Sequence, residues 1–191
     1  MVDRVSYRQW LADSLEFFSN LGFFANQSIS DGSKLFEDLA SKWSEINPDE
    51  DPEFSDLQFL KYDKDRVWPV DGEFGVAMGA NRYIDFMEGI AAISRGAFQP
   101  LDITEEWGTD EGPIKVTFTL DGELRELHPA FGFDWLDGAI IDKINHMIAR
   151  SGMQIEMYDG SSQVGYLMLL TGEEKRKLIE HRNWRFFESR R

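Results

Sequence analysis

The sequence predicts an α+β fold in which a mainly antiparallel sheet packs against helices, preceded by a pair of helices. Three observations point there. Apolar residues repeat with helical spacing through residues 1–45, and the second half runs strand–strand–helix–strand–strand–helix. The third is size: 191 residues, 42% of them hydrophobic, are enough to bury a core without disulfides.

In the first helix, Trp10, Leu11, Leu15, Phe18 and Leu21 form one apolar stripe, and Asn20-Leu21-Gly22 is a stop. Asp31 or Ser33 caps a second helix, whose Leu35, Phe36, Leu39 and Trp43 share a face. The run Asn47-Pro48-Asp49-Glu50-Asp51-Pro52-Glu53 cannot continue a helix and has little to bury, so it predicts an acidic surface loop. It separates a helical segment, 1–46, from an α+β body, 54–191, the two together forming one structural domain.

Beyond it, LQFLKY (57–62), RVWPV (66–70) and FGVAM (74–78) read as short extended pieces. Asn81 then caps a helix carrying Ile84, Met87 and Ala91, with Tyr83, Ile90 and Ile93 alongside; Gly96 ends it. Residues 96–113, with their prolines, glycines and acids, predict a surface loop. Val116, Phe118 and Leu120 alternate with threonines as a half-buried strand does. Asp121-Gly122 then supplies the positive φ angles of a type I′ turn, so 123–128 returns antiparallel. A helix from about Asp134 buries Leu136, Ile140, Ile144, Met147 and Ile148 and closes at Gly152. Met153, Ile155 and Met157 alternate in another strand. After the Asp159-Gly160-Ser161-Ser162 turn, 164–170 is more apolar and therefore more central in the sheet. Thr171 and Glu174 form a capping box for the last helix.

Composition narrows function. With no cysteine there is no thiolate nucleophile, disulfide framework or cysteine-ligated metal. The residues 1–18 contain no uninterrupted apolar run, and no segment is apolar enough to cross a bilayer, so the expectation is a soluble cytoplasmic protein. Net charge is −15; residues 1–172 hold 31 acids against 13 bases, and 173–191 hold 4 against 7. An acidic surface serves solubility, and it also repels nucleic acid and anionic membranes while speeding encounter with basic proteins.

Catalytic constellations are sparse. His128, His146 and His181 lack metal-ligand spacing, although His146 stands four residues from Asp142. Asp134, Asp137 and Asp142 cluster around one helix, with Asp134 near its start, and acids in a first helical turn complement the macrodipole. There is no phosphate loop, nucleophile elbow or calcium loop, and Ser161-Ser162 has no adjacent base. The sequence therefore predicts neither catalytic residues nor a cofactor or metal. The remaining candidates are acidic runs suited to a protein partner: Asp49, Glu50, Asp51 and Glu53, then Glu105, Glu106, Asp110 and Glu111 around Trp107. An exposed tryptophan among acids combines a hot-spot anchor with charge steering; a buried one leaves the acids as a solvated rim.

The strings ISRGAFQPLDITEEW (93–107), GPIKVTFTLDGELRELHP (112–129), INHMIARSG (144–152) and VGYLMLLTGEEKRKL (164–178) resemble small acidic bacterial proteins found beside polymorphic secreted toxins, the immunity proteins. The resemblance implies that the chain binds a cognate, basic toxin domain and neutralises it without catalysis. The alternative is a non-catalytic adaptor in a bacterial assembly, docking through its aromatic-rich first helices.

Overall fold

The structure is a computed structural model and describes residues 4–30, 32–42, 48, 52–71, 74–158 and 164–187. The fold is α+β, and the described residues form six α-helices and two three-stranded antiparallel sheets. The chain divides into two compact units, residues 1–63 with 177–184 and residues 64–176 with 185–191.

The first unit contains α1 (Arg4–Asn20), α2 (Lys34–Ala40), α3 (Pro52–Leu60) and the end of α6 (Gly172–Arg182). The predicted stripe of α1 is buried at Leu11, Leu15 and Phe18. Phe18 sits at the centre of an aromatic cluster, 5.3 Å from Phe59, 5.6 Å from Phe23 and 6.0 Å from Trp184. Ser33 caps α2 by accepting from the Phe36 amide; Asp31 and Trp43 lie outside the described residues. The buried Asp56 carboxylate faces the Arg182 guanidinium and the Trp184 indole N–H, each at 3.4 Å.

Here LQFLKY departs from expectation, since Leu57–Leu60 belong to α3 rather than a strand. The reason lies at Pro52. A proline that cannot continue one helix is well suited to open the next, where its missing N–H is not needed. Of the acidic loop expected over 47–53, Pro52 and Glu53 open this helix, and Asn47, Asp49, Glu50 and Asp51 lie outside the described residues.

The second unit holds both sheets. One is ordered β1–β6–β5, from β1 (Val67–Asp71), β5 (Met153–Met157) and β6 (Val164–Thr171). As expected for its apolar run, β6 is central. The other is β2–β3–β4, from β2 (Leu101–Trp107), β3 (Ile114–Leu120) and β4 (Glu123–Leu127). The turn between β3 and β4 has φ of 54° at Asp121 and 78° at Gly122, as the Asp-Gly pair predicts. Helices α4 (Arg82–Ile93) and α5 (Ala139–Met147) complete a core built on Phe86, Met87, Ile90, Phe98, Phe118, Ile140, Ile144 and Leu167. The capping box is present: the Thr171 amide donates to Glu174 at 2.7 Å and the Glu174 amide to Thr171 at 3.2 Å. The other Glu174 oxygen pairs with the buried Arg66 at 3.0 Å.

Four expectations in this unit are corrected. Residues 101–107 are strand β2, not loop. Charged residues on its solvent side and an irregular register between Leu101 and Thr104, with Asp102 at φ 52°, hide the period of two. FGVAM forms no strand, because the Gly75 and Val76 amides donate to the Asp134 carbonyl instead of a ladder. Asn81 precedes α4 but is left-handed and makes no side-chain cap. Finally, α5 starts at Ala139, five residues past Asp134, because Asp137 accepts from the Ala139 amide at 3.0 Å and Phe131–Trp135 is already folded as a turn. Among the described residues no helix is long and apolar enough to cross a membrane.

Candidate protein-docking surface

The acids around Trp107 are sorted by the pleat of β2. Glu105 pairs with Val116 and Trp107 with Ile114, which puts both on the core-facing side, while Glu106 pairs with Lys115 on the outer side. Trp107 is half-buried and packs edge-on against Phe131 at 5.8 Å. Its indole N–H donates to Glu105 at 2.6 Å, and the other oxygen of Glu105 accepts the Tyr83 amide at 2.8 Å. Glu105 therefore does the work expected of Asn81: it caps the first turn of α4 from a neighbouring strand.

Glu106 makes an outer-face ion pair with Lys115 at 3.1 Å, and this contact holds the Lys115 ammonium above its usual range. Asp110 and Glu111 are exposed on a tight turn. That turn is closed by the Thr109 amide on Gly112 O at 3.0 Å and the Gly112 amide on Thr109 O at 3.1 Å. Gly112 abuts Phe131: a Cβ there would stand 3.7 Å from the Phe131 Cβ. Asp49, Glu50 and Asp51 lie outside the described residues, and of Glu53 only the backbone is described, within α3.

What the sequence reading missed is the turn that follows. Phe131, Phe133 and Trp135 fall within five residues, too closely spaced for a helix face. Phe133 is 73% and Trp135 51% exposed. Phe133 lies 5.3 Å from Phe131, which extends a line of rings from Trp107 outward to solvent. The turn is held from several sides. Trp135 N–H donates to Gly132 O at 3.3 Å, Asp134 O accepts from Gly75 at 3.0 Å and Val76 at 3.4 Å, and Asp137 accepts from Ala130 at 2.9 Å. Tyr83 reaches the same place, its hydroxyl accepting the Asp137 amide at 3.2 Å. Burial pushes the Tyr83 phenol above its ordinary range; the hydrogen bond from the Asp137 amide opposes this, and the Asp137 and Glu105 carboxylates add to it.

Phe133 has φ 58°, a left-handed conformation that costs a non-glycine residue roughly 1–2 kcal/mol. Its surroundings enforce that conformation and aim a large apolar ring at water. Two exposed aromatic side chains on a hydrogen-bonded turn beside acids can anchor a protein partner, and their ring faces attract cations.

Of the other candidates, Asp142 and His146 line one groove from α5, and the rest lie apart. Asp137 accepts from the Ala139 amide at the start of α5 and Asp142 lies in its first turn, while Asp134 sits in the preceding turn. His128 pairs with Glu126 on the surface, His146 lies on α5, and His181 packs edge-on against Phe17 at 6.1 Å. Ser161 and Ser162 lie outside the described residues. Among the described residues, no group of three or more His, Cys, Asp or Glu side chains is placed to hold a metal. No protein-family model, curated protein or solved structure matches this chain.

Proposed function

We propose that this chain is a non-catalytic, cytoplasmic binding protein that captures a basic protein domain through the Trp107–Phe131–Phe133–Trp135 face. The observation that carries the reading is the pair of exposed aromatics on a strained but fully tied turn. Phe133 holds an unfavourable φ and its ring is exposed to solvent. Asp110, Glu111 and Asp134 lie on the same tight turns, and net charge is −15, so the partner that complements this face is cationic. Neutralising a cognate toxin, as the sequence resemblance implies, is one such use: the acidic face would cover the basic surface a toxin turns toward an anionic substrate.

The test is affinity capture from extracts of the producing cell at low salt, with wild type beside Phe133→Ala and Trp135→Ala. The expected result is one stoichiometric basic protein on wild type, released by salt and reduced at least tenfold on either variant, which corresponds to about 1.4 kcal/mol at a hot spot. A partner retained equally by the variants would overturn the assignment of this face. A salt-resistant assembly lost on removal of the first helices would favour the adaptor.

A further inference from the structure

Strand β4 is an edge of its sheet. It pairs with β3 on one side, and no described strand pairs with the other. Edge strands are ordinarily protected by charge or cover. Here the edge opens onto a groove of about 970 Å³ whose walls include Glu123, Arg125 and Leu127 of β4 and Asp142, His146 and Met147 of α5.

The turn fixes which groups face that edge. A two-residue hairpin closes on a hydrogen-bonded pair, here Leu120–Glu123. Bonded and non-bonded pairs alternate, so Thr119–Leu124 is non-bonded and the Leu124 N–H and C=O point to the free edge. The Leu124 side chain is 76% exposed on the outer face, with no apolar partner across the strand: its neighbour is Thr119, followed by Leu101, which is 64% exposed.

We propose that the chain pairs with a second copy of itself through β4, antiparallel about a two-fold axis at Leu124. In this register the two Leu124 residues exchange both backbone hydrogen bonds. The outer face becomes a continuous row, Leu101–Thr119–Leu124 of one copy meeting Leu124–Thr119–Leu101 of the other. On the inner face Glu123 stands opposite Arg125 of the second copy, twice by symmetry, in non-bonded positions where cross-strand side chains are closest. Within one chain these two residues already pair at 2.6 Å, so the dimer joins two ion pairs into a ring of four charges. Other registers are worse: one step either way sets Arg125 or Glu123 opposite its own copy, and like charges across a strand pair repel. The charges on this edge therefore select one register. A symmetric contact of this kind is isologous and closed, so it stops at two copies. The inference is independent of the basic partner proposed above.

Sedimentation equilibrium of the full chain tests it, over about 5–500 μM, where small interfaces associate. Wild type is expected to rise from 22.1 kDa toward twice that mass. Arg125→Glu and Glu123→Arg, each placing like charges in register, are expected to weaken association at least tenfold. The double variant Glu123→Arg/Arg125→Glu restores opposite charges and is expected to restore the dimer. A wild type that stays at 22.1 kDa throughout overturns the proposal. So does a dimer indifferent to Arg125→Glu, or a folded double variant that stays monomeric.

Discussion

Glu105→Ala removes one carboxylate and leaves two donors without it. The Tyr83 amide loses the acceptor that caps α4, a loss of ~1 kcal/mol. The Trp107 indole loses a charged partner at 2.6 Å, which for a half-buried group costs about 1–2 kcal/mol. Together these predict a destabilisation of ~2–3 kcal/mol, or roughly 5–10 °C in Tm for a chain of this length. Glu105→Gln keeps one carbonyl oxygen for the indole but turns an NH₂ toward the Tyr83 amide, so it should lose about half as much. Thermal and urea unfolding followed by near-ultraviolet circular dichroism, which reports on tryptophan packing, measure both. A Glu105→Ala protein within about 0.5 kcal/mol of wild type would refute the capping role. Comparison with Phe133→Ala separates stability from binding. Phe133→Ala, at an exposed position, should weaken partner capture and leave the melt nearly unchanged, whereas Glu105→Ala should shift the melt first.

Glu106→Ala should change stability by less than about 0.5 kcal/mol in urea titration, because its pair with Lys115 is solvent-exposed; a larger loss would mean the outer face is not open to water. Gly89→Ala should destabilise although alanine is the better helix former by about 1 kcal/mol. The added Cβ would stand 2.6 Å from Cζ2 and Cζ3 of Trp68, a ring confined by Phe74 and Phe86, and overpacking of this kind costs about 1–3 kcal/mol. A gain in the urea midpoint would show that Trp68 can move aside. Tyr83 predicts an alkaline limb. Its folded pKa is raised, so its contribution is complete below the unfolded value near pH 10 and is lost as pH climbs through the folded one. Stability measured from pH 8 to 11 should fall less steeply in Tyr83→Phe than in wild type, and identical limbs would remove Tyr83 as the cause.

Local signals were legible wherever a residue's role depends on its immediate neighbours. The stripe of α1, the Ser33 cap, the Asp121-Gly122 hairpin, the alternation of β3, the centrality of β6 and the Thr171–Glu174 box all follow from backbone geometry within a few residues. The α+β class follows from their order. Partners distant in sequence decided the rest. Residues 101–107 look like an acidic loop until β3 is set beside them; then Glu105 and Trp107 turn inward and Glu106 turns out. The sequence points to the adjacent Asn81 for the cap of α4, whereas a carboxylate 22 positions from Tyr83 supplies it. The start of α5 lies later than the sequence predicts because acids near a helix start look alike in sequence; only the bonds to Ala130 and Ala139 single out Asp137. Exposure of Phe133 and Trp135 could not be read from composition, since aromatics are usually buried and a positive φ at phenylalanine has no local signature. The acidic charge, the lack of cysteine and the identity of most elements are local or additive properties that can be read along the chain. Which acids are spent on internal donors and which aromatics meet water depends on residues that only folding brings together.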